Sequence, residues 1–172
     1  MNILYTTSNI FDIPLNTAEA VCVTTNGMIK KNGQAVMGAG IAKEANTRFH
    51  LADKLADYIT RYGNRPFFMG LYKNDTNGNN FNIITFPTKH DWRNDSDLEL
   101  IRKSAENLVR ICDNRDIKRC YLTPVGCANG HLDWESQVKP VIAPILDNRF
   151  TIVFRENNVW YKKVVSITTL FF

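Results

Sequence analysis

The sequence predicts an α/β fold in three layers, α/β/α, with helices on both faces of a mixed central sheet. Three observations predict it. Strand-like and helix-like runs alternate along the chain, the pattern of a sheet covered on both faces. Asn74-Asp75-Thr76-Asn77-Gly78-Asn79-Asn80 lies between two strand-like runs. It reads as a hairpin turn, so one strand pair is antiparallel and the sheet is mixed. Two small-residue loops each follow a strand-like run and lead into a helix-like one, which places candidate ligand loops at the carboxyl ends of strands.

Size and composition agree with this. The 172 residues, 44% apolar and 22% charged, fit one domain over 1–172 with a real core. A net charge of +4 is compatible with a polyanionic partner without demanding one. No run of like charge reads as a nucleic-acid tail. Cys22, Cys112, Cys120 and Cys127 form no Cys-x-x-Cys, so no metal is expected. Cys22 and Cys112 fall on a strand and on an apolar helix face, as small buried thiols do. Met1-Asn2-Ile3-Leu4 lacks the apolar core of a signal peptide, and no apolar run reaches membrane-spanning length. The expectation is a reduced, cytoplasmic monomer that works away from membranes and without a cofactor.

Strands are expected at residues 2–5, 20–25, 67–72, 81–86, 119–123 and 150–154, from short β-branched and aromatic runs. A final apolar run at 159–172 offers one or two more. Helices are expected at 41–49, 51–62, 96–112 and 134–146. In the third, Ser96 and Glu99 have capping-box spacing, and Leu98, Ile101, Ala105, Leu108 and Cys112 recur as one apolar stripe. In the fourth, Asp133 can cap the start, while Pro140 and Pro144 would kink or split the rest.

The loops after Thr25, Phe86 and Thr123 carry the functional signal. The first passes through Asn26-Gly27 and a basic spacer to Gln34-Ala35-Val36-Met37-Gly38-Ala39-Gly40-Ile41-Ala42. Gly-x-Gly at the mouth of a helix offers backbone amides and the positive end of the helix dipole to an anion. It matches neither a dinucleotide fingerprint nor a P-loop, and glycines also serve turns that bind nothing. The third loop, Pro124-Val125-Gly126-Cys127-Ala128-Asn129-Gly130-His131-Leu132-Asp133-Trp134, is a second such turn. Together they suggest a diphosphate clamped from both sides. The middle loop, Phe86-Pro87-Thr88-Lys89-His90-Asp91-Trp92-Arg93, gathers charged groups and an indole. Lys89 sits just beyond a strand, within reach of such a ligand or else as a solvated surface charge. A tryptophan in a polar loop needs a surface to cover.

With these stretches in view, the chain resembles a macrodomain, the ADP-ribose-binding module. It resembles most the DarG-like branch, DNA ADP-ribosyl glycohydrolases that remove ADP-ribose from DNA bases. The resemblance is carried by residues 20–26, 36–42, Phe86-Pro87-Thr88-Lys89-x-x-Trp92-Arg93 and 124–134. It implies that Asn26 binds the distal ribose and that Val36, Met37, Gly38, Ala39, Gly40 and Ile41 wrap the diphosphate and that ribose. Val125, Gly126, Cys127, Ala128, Asn129 and Gly130 would form the opposing wall. Lys89, preceded by Thr88, would be the catalytic lysine. Ser8-Asn9-Ile10-Phe11 would match the family's Gly-Asp-Ile/Leu-Phe, placing Asn9 and Ile10 at the adenine.

Asn9 departs from the family's aspartate and is a weaker acceptor. His131 stands where the family has a small residue, and with Trp92 it is a further candidate at the site. The function implied is hydrolysis of an ADP-ribosyl linkage, with a nucleic acid as the foremost acceptor. Lysine chemistry at C1″ can mean protonation of the departing base or attack by a neutral amine. The same pocket would suit an ADP-ribose 1″-phosphate phosphatase, or a non-catalytic reader or sponge of ADP-ribose or a nucleotide signal.

Overall fold

Alternation of apolar side chains along each strand fixes how this molecule is layered. The computed structural model describes residues 3–155. The strands are β1 (Leu4–Thr7), β2 (Glu19–Thr25), β3 (Phe68–Lys73), β4 (Asn80–Pro87), β5 (Arg119–Leu122) and β6 (Phe150–Phe154). The helices are α1 (Gly40–Phe49), α2 (Ala52–Tyr62), α3 (Leu98–Asn114) and α4 (Lys139–Ile142). In β2, Ala20 and Cys22 point to one buried cluster and Val21 and Val23 to another; in β4, Ile84 and Phe86 face the first and Phe81 and Ile83 the second. Successive side chains leave a strand on opposite faces, so both strands are covered twice. Ile101, Ala105, Leu108 and Cys112 of α3, with Ile142 of α4, fill one side. Ile41 and Ala45 of α1, with Leu55 and Ala56 of α2, fill the other.

The six-stranded sheet runs β1-β6-β5-β2-β4-β3. All neighbours are parallel except β3 with β4, joined by the expected hairpin. The sheet is therefore mixed, as the turn at 74–80 indicates. Asn74 holds that turn by accepting from the Thr76 amide at 2.8 Å and donating to the Ile13 carbonyl at 2.9 Å. Because β1, β6, β5, β2 and β4 run the same way, their carboxyl ends share one edge. All three candidate loops leave from it.

Several boundaries differ from expectation. The first strand is Leu4–Thr7, shifted two residues along the chain. The cap of α3 is Asp97, whose carboxylate accepts from the amides of Glu99 at 2.9 Å and Leu100 at 3.2 Å. Ser96 instead lies buried, its amide donating to the Gly130 carbonyl at 3.0 Å. The apolar stripe of α3 stands as read. The expected helix at 134–146 is broken up: Asp133 caps a π-helical turn, Trp134–Val138, by accepting from the Ser136 amide at 2.8 Å, and only Lys139–Ile142 continues as α-helix. Pro140 sits in the first turn of that piece, where its missing N–H costs nothing. The apolar run at 159–172 lies outside the described residues.

Candidate functional site

The loop after β4 is held at almost every residue. Before it, the Ser104 hydroxyl of α3 donates to the Pro87 carbonyl at 2.8 Å. The Thr88 amide donates to the Thr25 carbonyl at 3.0 Å, and the Thr88 carbonyl accepts from Asp97 at 2.9 Å. The Lys89 carbonyl accepts from the Asn64 amide group at 2.9 Å. The His90 carbonyl accepts from the Gly27 amide at 3.1 Å. Buried backbone groups must find such partners, and here the partners fix the strand end that carries Lys89. Asn64, just past α2, carries no sequence signal for this role; fold topology alone brings it here. A Cβ at Gly27 would meet Asn64 Cγ at 2.9 Å, so a larger residue there would push Asn64 from its place.

From this base the half-buried Lys89 side chain reaches across to the third loop. Its Nζ donates to the Asn129 carbonyl at 2.7 Å and to the Trp92 carbonyl at 3.4 Å. Both partners are acceptors, so the amine stands here as a hydrogen-bond donor. Arg93 is not beside it as a free cation. Its guanidinium grips Asp91 with two bonds, at 3.0 and 2.7 Å, and holds that carboxyl down at a pKa of about 2. Asp91 is thus an acceptor rather than an acid near neutral pH. Trp92 lies 53% exposed, with the Arg93 guanidinium 6.0 Å from its ring centre.

The third loop is a tight coil. Leu132 donates to the Gly126 carbonyl at 3.0 Å and His131 to that of Ala128 at 3.2 Å. The two glycines serve packing rather than ligand approach. At Gly126, with φ of +77°, a Cβ would meet Ile101 Cδ1 at 2.9 Å; at Gly130 it would collide with Ser96 Oγ and the Gly126 carbonyl. Val125 is core, and the Cys127 thiol is pushed up to about 12 by burial and then by Asp133. Within residues 125–130, Ala128 and Asn129 are exposed. His131, in left-handed backbone at φ of 60°, pairs through Nδ1 with Asp95 at 2.8 Å, tying this coil to the middle loop.

The first loop meets the third at Gly40, whose Cβ position lies 3.4 Å from the Asn129 side-chain nitrogen. Its basic spacer folds back on itself, with Lys30 donating to Gln34 at 2.7 Å. Asn26 pins the base of this fold, donating to the Val36 carbonyl at 3.1 Å and accepting from Met28 at 2.9 Å. Met37 and Ile41 point into the core, so only their backbone faces outward. Gly38 is exposed, and a Cβ there would meet nothing within 4 Å. α1 starts at Gly40 with Ala39 as its cap residue and no side-chain cap. Its first-turn amides therefore keep their donors for a ligand.

Further along the same edge, Asn9 caps a 3-10 turn, Ile10–Asp12. Ile10 is buried in the core, so of the two only Asn9 offers a side chain. Beside it lies a hollow of about 550 Å³ lined by Ser8, Asn9, Asp12, Glu44 and Arg155. It opens past the ends of β1 and β6, whereas Lys89 follows β4. Strands spaced ~4.8 Å apart put β6 and β4 three steps, on the order of 14 Å, from each other. The edge thus offers a polar hollow at one end, free helix amides in the middle and an amine at the other. The described residues hold no cluster of metal-ligating side chains.

No protein-family model matches the chain. A 53-residue stretch, 31% of the chain, is 42% identical to a DNA ADP-ribosyl glycohydrolase of Mycobacterium tuberculosis and spans 15% of that protein. Among solved structures, the macrodomain of Mycobacterium tuberculosis DarG superposes with a TM-score of 0.63 at 23% identity, over 90% of this chain and 98% of that one. Thermosipho africanus DarTG in complex with ADP-ribose superposes with a TM-score of 0.63 at 22% identity, over 81% of this chain and 38% of that one. The mixed sheet and its flanking helices are those of the macrodomain fold.

Proposed function

We propose that this chain, a macrodomain by fold and similar in sequence to DarG-type proteins, binds ADP-ribose along the strand-end edge and hydrolyses an ADP-ribosyl linkage. The observation that carries the reading is the bridge from Lys89 Nζ to the Asn129 carbonyl, 2.7 Å long. It sets a donor where the first and third loops meet, with the free amides of α1 alongside. The base would enter the hollow beside Asn9, the diphosphate would lie on those amides, and the distal ribose would reach Lys89. The gap between hollow and amine leaves room for that order.

Cleavage at C1″ places positive charge on the sugar and negative charge on the departing group. A donor aimed at the departing group stabilises it as the bond breaks. Lys89 is arranged for that role, since its hydrogen bonds to two carbonyls leave a further N–H to give. A nucleophilic role would need the neutral amine with its lone pair turned to C1″. Asp91, chelated by Arg93, supplies no acid. The described residues at the site offer no pair of facing carboxylates of the glycosidase kind.

A nucleic-acid acceptor is favoured by Trp92, whose exposed ring beside Lys89 offers a face on which a base can stack. Free thiols at all four cysteines support a reducing, cytoplasmic setting. No helix of the described residues is long and apolar enough to cross a membrane. A side-by-side assay tests the reading. ADP-ribosylated DNA, ADP-ribosylated protein and ADP-ribose 1″-phosphate are each given to the wild type and to Lys89→Ala. Lysine-dependent release of ADP-ribose from the DNA supports it. Phosphate release alone, or binding without any turnover, contradicts it.

A further inference from the structure

Three separate stretches of chain meet behind Lys89. The Gly27 amide donates to the His90 carbonyl at 3.1 Å, and the Asn64 side-chain nitrogen that holds the Lys89 carbonyl also meets His90 Nδ1 at 3.2 Å. Gly27 itself lies against Asn64, its Cβ position 2.9 Å from Asn64 Cγ. The start of the first loop, the end of α2 and the middle loop thus share one junction. It lies on the side of Lys89 away from the third loop, since the Lys89 amine turns to Asn129 while His90 turns to Asn64. Any residue within four of Gly27, Asn64 or His90 stands within about 15 Å of its own member of that junction.

Those neighbourhoods are rich in cations. They hold Lys30, Lys31, Arg61, Arg65, Lys89 and Arg93 against a single carboxylate, Asp91. Arg93 closes on Asp91 and Arg61 on Asp57. Asp97, which caps α3, faces the His90 ring at 3.8 Å. Lys30, Lys31 and Arg65 are exposed and enter no ion pair among the described residues. The opposite wall, residues 124–130, contains no cation. Bare rings gather at the same place. The large exposed aromatic side chains of the described residues are Trp92, at 53%, and Tyr62, at 59%, and each stands two residues from the junction. Tyr62 is backed by Tyr58 and Phe67, each ring centre 6.3 Å away.

Unpaired cations set among exposed rings suit a flexible polyanion with flat bases. The cations take phosphates and the rings take bases, and neither contact reads sequence. An acidic peptide would use the cations and leave the rings idle. Resting on the proposed function, in which a nucleic acid carries the ADP-ribose, we infer that this junction binds the single strand flanking the modified base. The strand leaves the cleft toward Arg65 and Tyr62, away from the third loop. The preferred substrate is then an oligonucleotide rather than an isolated nucleotide.

Turnover of an ADP-ribosylated single-stranded oligonucleotide, beside the same ADP-ribosylated nucleotide as a monomer, tests this. The proteins are the wild type, the triple variant Lys30→Gln, Lys31→Gln, Arg65→Gln, and Tyr62→Leu. Thermal melts check folding, and the monomer reports whether the cleft is intact. The wild-type KM for the oligonucleotide should lie about tenfold or more below that for the monomer. The triple variant should lose most of that advantage and flatten the slope of log KM against log salt by about 2, as three lost phosphate contacts require. Tyr62→Leu should raise the oligonucleotide KM about fivefold or more through lost stacking. Both variants should keep kcat and the monomer KM within about twofold of the wild type, as contacts beyond the cleft require. A wild type without preference for the oligonucleotide, or an oligonucleotide KM that stays put in the triple variant or in Tyr62→Leu, overturns the inference while leaving the hydrolysis standing. Equal losses on monomer and oligonucleotide overturn it as well. Turnover of neither substrate by the wild type overturns the proposed function and the inference with it.

Discussion

At the scale of single residues, the glycines divide into two kinds that look alike in the sequence. Gly38 is glycine on an open surface, where an added Cβ meets nothing within 4 Å. Gly126 is glycine because Ile101, Leu132 and Ser96 crowd it and because its φ is +77°. Gly38→Val should melt close to the wild type and lose ADP-ribose affinity, since the side chain intrudes only where ligand would lie. Gly126→Val should instead lose about 2 kcal/mol or more of stability, from left-handed backbone strain and overpacking. Thermal melts beside calorimetry separate the two. The Gly-x-Gly spacing was legible in the chain, and so was Lys89 as a strand-end residue. What each glycine faces was not, because Ile101 and Ser96 reach Gly126 only through the packing of α3.

At the scale of elements, the loops act through their anchors. The Lys89 loop is bound to β2, α2 and α3 through Thr25, Asn64 and Asp97. Asn64→Ala removes a donor from the Lys89 carbonyl without touching the amine. It should lower kcat several-fold with little change in ADP-ribose affinity, measured by turnover and calorimetry on the same preparation. Asp97→Ala removes the cap of α3 and should cost about 1 kcal/mol in chemical denaturation. The strands, the hairpin and the apolar stripe of α3 follow from local patterns of period two and of three to four. The cap of α3 does not, because Ser96 and Asp97 are equally good caps in sequence. Ser96 is drawn inward by Gly130, leaving Asp97 to turn toward the helix. Nor did the proline pattern at 140 and 144 say that a π-helical turn would precede the break.

At the scale of the whole molecule, charge and layering set the conditions for function. Asp91, Glu99, Asp133 and Asp147 all have carboxyl pKa values below their usual range, chiefly through hydrogen bonds to Arg93, Arg102, Ser136 and Arg149. A lowered native pKa means that the unfolded chain binds protons first as pH falls. The stabilisation is therefore complete above the ordinary carboxylate range and drains away from about 3.8 toward about 2. Circular dichroism across that range should show stability falling there and staying flat between pH 6 and 8 as far as these groups are concerned. In the proposed function the first and third loops bind ADP-ribose while Lys89, bridged between loops, performs the chemistry. Calorimetry of ADP-ribose binding, run beside turnover of an ADP-ribosylated oligonucleotide on the wild type and Lys89→Ala, tests it most directly. Lys89→Ala should keep its affinity within a few-fold of the wild type and turn over more slowly by roughly 10² or more. Full turnover by Lys89→Ala, or a loss of binding as large as the loss of turnover, would contradict it.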